Sequence, residues 1–137
     1  VRAYKLVRDH FEILFGIILD HGGVVIKTIG DSVMASFLTP EQAVQGMIEV
    51  QKSFDVYNRN PEVSDGIHIR AGIHRGSVIA VTLNDRLDYF GTTVNEAARI
   101  EGVCDANELV VSDSIMESLG IPALLAGFSI AKFENCL

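Results

Sequence analysis

The stretch from His21 to Phe37, HGGVVIKTIGDSVMASF, constrains the fold of this chain more than any other. Two apolar, β-branched runs, at 24–29 and 33–37, flank Gly30-Asp31-Ser32. A Gly/Asp turn between such runs is a strong short-range signal for a β-hairpin. Plain alternation places Val25, Lys27 and Ile29 on one face and Val24, Ile26 and Thr28 on the other. Lys27 then sits among apolar neighbours, four residues before an Asp at the tip. An ammonium and a carboxylate at one end of a hairpin suit a metal-bound phosphate ligand. The same residues equally suit an ordinary surface hairpin, with a lysine that carries its charge out to water and a turn-forming aspartate.

The flanking segments read as helices. Ala3, Leu6, Val7, His10, Phe11, Leu14, Ile17 and Ile18 recur at helical spacing and predict an amphipathic helix over 2–19, stopped by Gly22-Gly23. His10 falls on or beside its apolar stripe and reads as a core-edge histidine. Thr39-Pro40-Glu41 has the residue types of a helix start and opens a second helix to about residue 57, broken by Asn58-Arg59-Asn60-Pro61. Residues 67–74 and 78–83 read as strands of a second hairpin around a 74–77 turn. His68 and His74 share a face of the first strand and read as hydrogen-bonded or solvent-facing rather than as ligands. Thr93-Val94-Asn95-Glu96 fits a capping box for a third helix over 93–102. A strand over 108–111, a helix over 113–119 and a strand over 128–133 complete the order. This is the pattern of an α+β domain, with helices covering a mixed or antiparallel sheet.

A second polar cluster lies at 85–99, DRLDYFGTTVNEAAR. Asn95 and Arg99 are four apart on the third helix and project from one face. An amide that both donates and accepts, beside a planar cation that forks onto oxyanions, could hold a sugar and a phosphate. Asp88, in the loop before the helix, could accept from an amino group on a base. A solvated helix face after a polar loop accounts for the same residues.

The 137 residues, read as one domain over 1–137, are enough for a real core, and the net charge of −7 argues against a nucleic-acid backbone as partner. No apolar run is long enough to span a bilayer. Cys104 and Cys136 have no zinc or disulfide-framework spacing, so a cytoplasmic setting is the default.

Three segments in this order resemble the class III nucleotidyl cyclases, the catalytic domains of adenylate and guanylate cyclases. They are VIKTIGD at 25–31, RAGIHRG at 70–76 and DYFGTTVNEAAR at 88–99. The resemblance implies a ferredoxin-like palm with added elements, acting as a homodimer with composite sites at its interface. It implies Asp31 as a metal-binding carboxylate, Lys27 and Asp88 as the pair that selects adenine, Asn95 as the residue orienting the ribose and Arg99 as the one stabilising the transition state. The cofactors implied are two divalent ions, Mg²⁺ or Mn²⁺, and the reaction is conversion of ATP to cyclic AMP and pyrophosphate. In a head-to-tail pair, Asp31 and Lys27 of one subunit would face Asn95 and Arg99 of the other.

Two departures qualify that expectation. The family's first metal carboxylate lies on a strand ahead of the first helix, and Asp9, Glu12 and Asp20 do not match it. The phosphate-binding lysine of a closing hairpin is not matched by Lys132. The chain therefore reads as a fragment lacking the first strand and closing hairpin, inactive by itself. The rival reading is a non-catalytic nucleotide-binding or dimerisation module that keeps the cyclase fold.

Overall fold

The computed structural model describes residues 2–63, 66–103, 105, 107–118 and 120–126. They form two compact units, divided between Ile69 and Arg70, and the α+β class expected from the sequence holds. The strand expected at 128–133, Lys132 and both cysteines lie outside the described residues.

In the first unit the order is α1 (Arg2–Asp20), β1 (Val24–Ile29), β2 (Ser32–Ser36) and α2 (Pro40–Asn58). The end of α1 follows from its glycines. Gly22 takes φ +79, its N–H reaches the Leu19 carbonyl at 3.1 Å, and the Gly23 N–H reaches Ile18 at 2.8 Å. This is a Schellman closure, which needs a left-handed residue where Gly22 stands. Thr39 caps α2 as expected, its hydroxyl accepting from Gln42 N at 3.2 Å, with Pro40 in the first turn. The core gathers Leu14, Ile17 and Ile18 of α1 with Val50 and Phe54 of α2 and Ile69. Phe54 is only 1% exposed. Val25, Val33 and Ala35 of the hairpin pack against this cluster.

The hairpin is antiparallel but not regular. Val25 pairs with Ala35 and Lys27 with Met34, which leaves Ile26 as an extra residue. Cross-strand partners share a face, and Thr28 pairs with the core-packed Val33. The bulge therefore moves Thr28 to the core-facing side and Lys27 to the other, which corrects the plain alternation of the sequence reading. The loop is also shorter than expected: Ser32 is already in β2 and pairs with Ile29, leaving Gly30 and Asp31 at the tip.

The second unit contains β3 (Ala71–Ile73), β4 (Ile79–Leu83), β5 (Arg86–Phe90), α3 (Thr92–Gly102), β6 (Leu109–Val111), α4 (Asp113–Met116) and α5 (Ile121–Leu124). Its pairing overturns the second predicted hairpin. β3 pairs in parallel with β6, and β4 pairs antiparallel with β5. The turn that decides this is Asn84-Asp85, both at positive φ (53° and 62°). Such a two-residue loop matches the twist of a tight hairpin, and Asn and Asp tolerate it better than other side-chain-bearing residues. Helix α4 is shorter than predicted, and α5, entered from Gly120, had no counterpart in the sequence reading.

Helix α3 lies directly on β3. A Cβ on Gly72 would come within 2.5 Å of the Glu101 backbone N and 2.9 Å of its Cα. Backbone cannot yield as a flexible side chain can, so only glycine permits this approach. Gly72→Ala is therefore expected to cost about 1–3 kcal/mol through overpacking. Chemical denaturation of the two proteins checks this, and an unchanged midpoint would refute the close approach.

Candidate active site

Lys27 and Asp31 belong to the first unit. Lys27 is itself half-buried, and the bulge puts it on the side of β1 away from the core cluster, with the exposed Val24 and Ile29. Asp31 is exposed at the tip, after Gly30 at φ +59. Its main chain is tied down by a residue that sequence reasoning placed at the core edge. His10 Nε2 donates to the Asp31 carbonyl at 2.9 Å. The His10 ring lies edge-on to Phe11 (5.1 Å between centroids) and tilted against Phe54 (6.0 Å).

The neighbouring turn of α1 is fixed to α2 as well. Tyr57 Oη donates to Asp9 Oδ2 at 2.8 Å, and Lys5 Nζ reaches the same oxygen at 2.9 Å. Hydrogen bonds from Lys5 and then Tyr57 hold the Asp9 carboxyl below the usual carboxylate range. Desolvation, and secondarily the bond to Asp9, pushes the Tyr57 phenol up.

Asp88, Asn95 and Arg99 belong to the second unit. Asp88 does not lie in a loop, as the sequence suggested, but on β5 opposite Val81. It is half-buried, with Oδ1 accepting from the Tyr89 N–H at 2.8 Å. β5 then passes through Gly91 straight into α3. Asn95 and Arg99 are both exposed on that helix while Ile100 is buried, so the expected shared face is present.

The capping box is not. Gly91, at φ 128, occupies the N-cap position without a side-chain bond. Thr93 Oγ1 instead donates to the Ser77 carbonyl at 2.6 Å, and a Cβ on Gly76 would meet that hydroxyl at 2.5 Å. Glu96 turns to His74: its Oε2 lies 2.7 Å from His74 Nε2, whose ring Nδ1 is 2.8 Å from Ser112 Oγ. Arg70 and Glu101 pair at 2.8 Å. His74 thus links the end of β3, the first turns of α3 and the start of α4, in keeping with the hydrogen-bonded role expected of it. The capping-box assignment hid the partnership by giving Glu96 another task.

Among the described residues, no group of three or more His, Cys, Asp or Glu side chains is placed to hold a metal ion. Asp31 offers one exposed carboxylate. Mg²⁺-class ions are commonly held by one or two carboxylates together with substrate phosphates, so Asp31 fits an ion that arrives with a polyphosphate. Among the described residues no helix is long and apolar enough to cross a membrane.

Residues 1–134 match the adenylate and guanylate cyclase catalytic domain. The chain belongs to that family. An adenylate cyclase of Mycosarcoma maydis is 32% identical over 72% of this chain and 5% of its own length. One from Anabaena cylindrica is 28% identical over 89% of this chain and 27% of its own. A solved adenylate/guanylate cyclase/hydrolase from Silicibacter pomeroyi aligns with a TM-score of 0.68 at 31% identity, covering 82% of this chain and 63% of that one. Solved guanylyl cyclase domains share the fold too. The chain thus spans about a quarter or less of these curated relatives and somewhat under two thirds of the cyclase structure. The cyclase fold implied by the sequence motifs is the fold this chain has.

The Asp9 clamp gives a pH-dependent expectation. Because its folded pKa is lowered, its contribution to stability is present above the ordinary carboxylate value and lost as pH falls through the folded value. Tyr57→Phe should move the Asp9 pKa up toward the ordinary value, so that Asp9 contributes less stability and its acid loss is smaller and complete at a higher pH. Carboxyl ¹³C titration of the two proteins checks this, and an unmoved Asp9 would refute the clamp.

Proposed function

We propose that this chain carries catalytic machinery of an adenylate cyclase, which converts ATP to cyclic AMP and pyrophosphate and acts as a homodimer. The observation that carries this reading is α3, whose exposed face pairs Asn95 with Arg99 one turn apart, directly after the strand that bears Asp88. Adenylate cyclase names among the curated relatives support the choice of nucleotide.

The ribose 3′-hydroxyl attacks the α-phosphorus of the same nucleotide, a P–O bond forms as the bond to pyrophosphate breaks, and the hydroxyl proton is lost. Asn95, which can both donate and accept, orients the ribose. Arg99 meets the charge growing on the α-phosphoryl oxygens, a preorganised electrostatic role commonly worth a few kcal/mol. Divalent ions held through Asp31 and the polyphosphate would lower the hydroxyl pKa and offset the charge of the departing pyrophosphate.

Lys27 and Asp88 suit adenine, which presents an acceptor at N1 and an amino donor at position 6. Guanine reverses both, with N1–H and a carbonyl. Each mismatched buried group costs roughly 1–3 kcal/mol, enough for a tenfold preference or more. The full-length protein is expected to turn over ATP at least about tenfold more efficiently than GTP, measured as kcat/KM for each with Mg²⁺ or Mn²⁺. Equal turnover would overturn the adenine assignment.

Composite sites make a separate demand. Asp31→Ala and Arg99→Ala full-length proteins, each inactive alone, should regain partial activity on mixing, since a heterodimer restores one intact site. If heterodimers form and no activity returns, the site lies within one chain.

A further inference from the structure

The hairpin tip holds Asp31 on very little structure. Its loop has two residues, one of them a glycine at positive φ, and the Ile29–Ser32 pair closes it. The direction in which a carboxylate leaves so short a loop is set by the backbone of its own residue, and its χ1 and χ2 rotation starts from there. That backbone is anchored by the bond from His10 Nε2 to the Asp31 carbonyl, 2.9 Å long and 21 residues distant in sequence.

The donor is itself held. The His10 ring packs against both Phe11 and Phe54, and Phe54 is among the most buried side chains of the core. The next residue back, Asp9, is bonded to Tyr57 on α2. A rigid donor at the right height is therefore built from two helices before the tip is considered. A core-edge histidine needs no such bond, and an exposed tip could satisfy its carbonyl with water.

We propose that His10 is a positioning residue for Asp31, fixing the tip backbone so that the carboxylate is preset for the divalent ion accompanying the nucleotide. It acts as an Nε2–H donor to the main chain and does not touch the ion. The inference rests on the reading of Asp31 as a metal-binding carboxylate. Residues that orient a metal ligand typically contribute about 10–100-fold to metal affinity, and a single main-chain bond to a ligand at an exposed turn belongs at the lower end of that range.

The test separates the donor from the ring. His10→Phe keeps an aromatic ring against Phe11 and Phe54 but has no N–H. His10→Gln restores an N–H at nearly the Nε2 position. Mn²⁺ binding to the full-length protein in the presence of 3′-deoxy-ATP, which cannot cyclise, is followed by electron paramagnetic resonance, with thermal unfolding recorded alongside. His10→Phe is expected to weaken Mn²⁺ binding about tenfold with an unfolding temperature near that of the parent, and His10→Gln to recover most of the loss. Parent-like Mn²⁺ affinity in His10→Phe overturns the inference, as does equal weakening in both variants or weakening that merely tracks a fall in unfolding temperature. Asp31→Asn distinguishes the two levels. If it binds Mn²⁺ as the parent does, the reading of Asp31 as a ligand fails and takes the inference with it; if it binds weakly while His10→Phe does not, only the role of His10 fails.

Discussion

The extra residue at Ile26 decides what the first unit can present. A strand with one buried face allows no freedom in register, because a single step exchanges its two sides. Val25 and Ala35 face the core at one end of the hairpin and Val33 faces it at the other. Val33 and Ala35 share that face by alternation along β2, and the residue gained on β1 decides that Thr28 rather than Lys27 lies opposite Val33. Lys27 is the first residue past that gain. An ammonium that plain alternation would have put on the side of Leu14, Phe54 and their neighbours is turned to the opposite side, out of the apolar cluster.

The second unit solves a similar problem with contacts rather than register. Helix α3 must show Asn95 and Arg99 to the outside, so its grip on the sheet comes from the residues between and beside them. Glu96 engages His74, Ile100 is buried, and Glu101 engages Arg70 while its backbone rests on Gly72. Thr93 fixes the first turn to the Ser77 carbonyl. The segment 70–76, which carries much of the cyclase resemblance, thus contributes the seat of the helix. Its contribution is indirect: it sets where the Asn95 amide and the Arg99 guanidinium stand.

Much of this was legible in the sequence because local rules govern it. The helix stop at Gly22, the Thr39 cap and the Lys27-to-Asp31 hairpin each depend on a few adjacent residues. The resemblance carried by the three motifs identified the cyclase fold, which the family match bears out. What escaped were the choices made by distant partners. Residues 67–74 and 78–83 look like a hairpin because both are strands near a Gly-containing turn, yet a partner more than thirty residues away claims β3 and the Asn84-Asp85 turn claims β4. Thr93 and Glu96 satisfy a capping pattern, but stronger non-local partners take both side chains. His10 gave no local sign of its bond, since the acceptor is a main-chain carbonyl that any residue could offer.

The bulge also bears on how this hairpin tolerates length variation. Losing one residue from β1 need not unravel the ladder, because the strand could discard its surplus position and close as a regular ribbon. Closed that way with the tip register kept, Lys27 would still lie opposite Met34 and Thr28 opposite Val33, so the ammonium would keep its side. A single deletion ahead of Lys27 is therefore tolerable where an insertion would widen the bulge, and the length that must stay fixed is the one from Lys27 to Asp31.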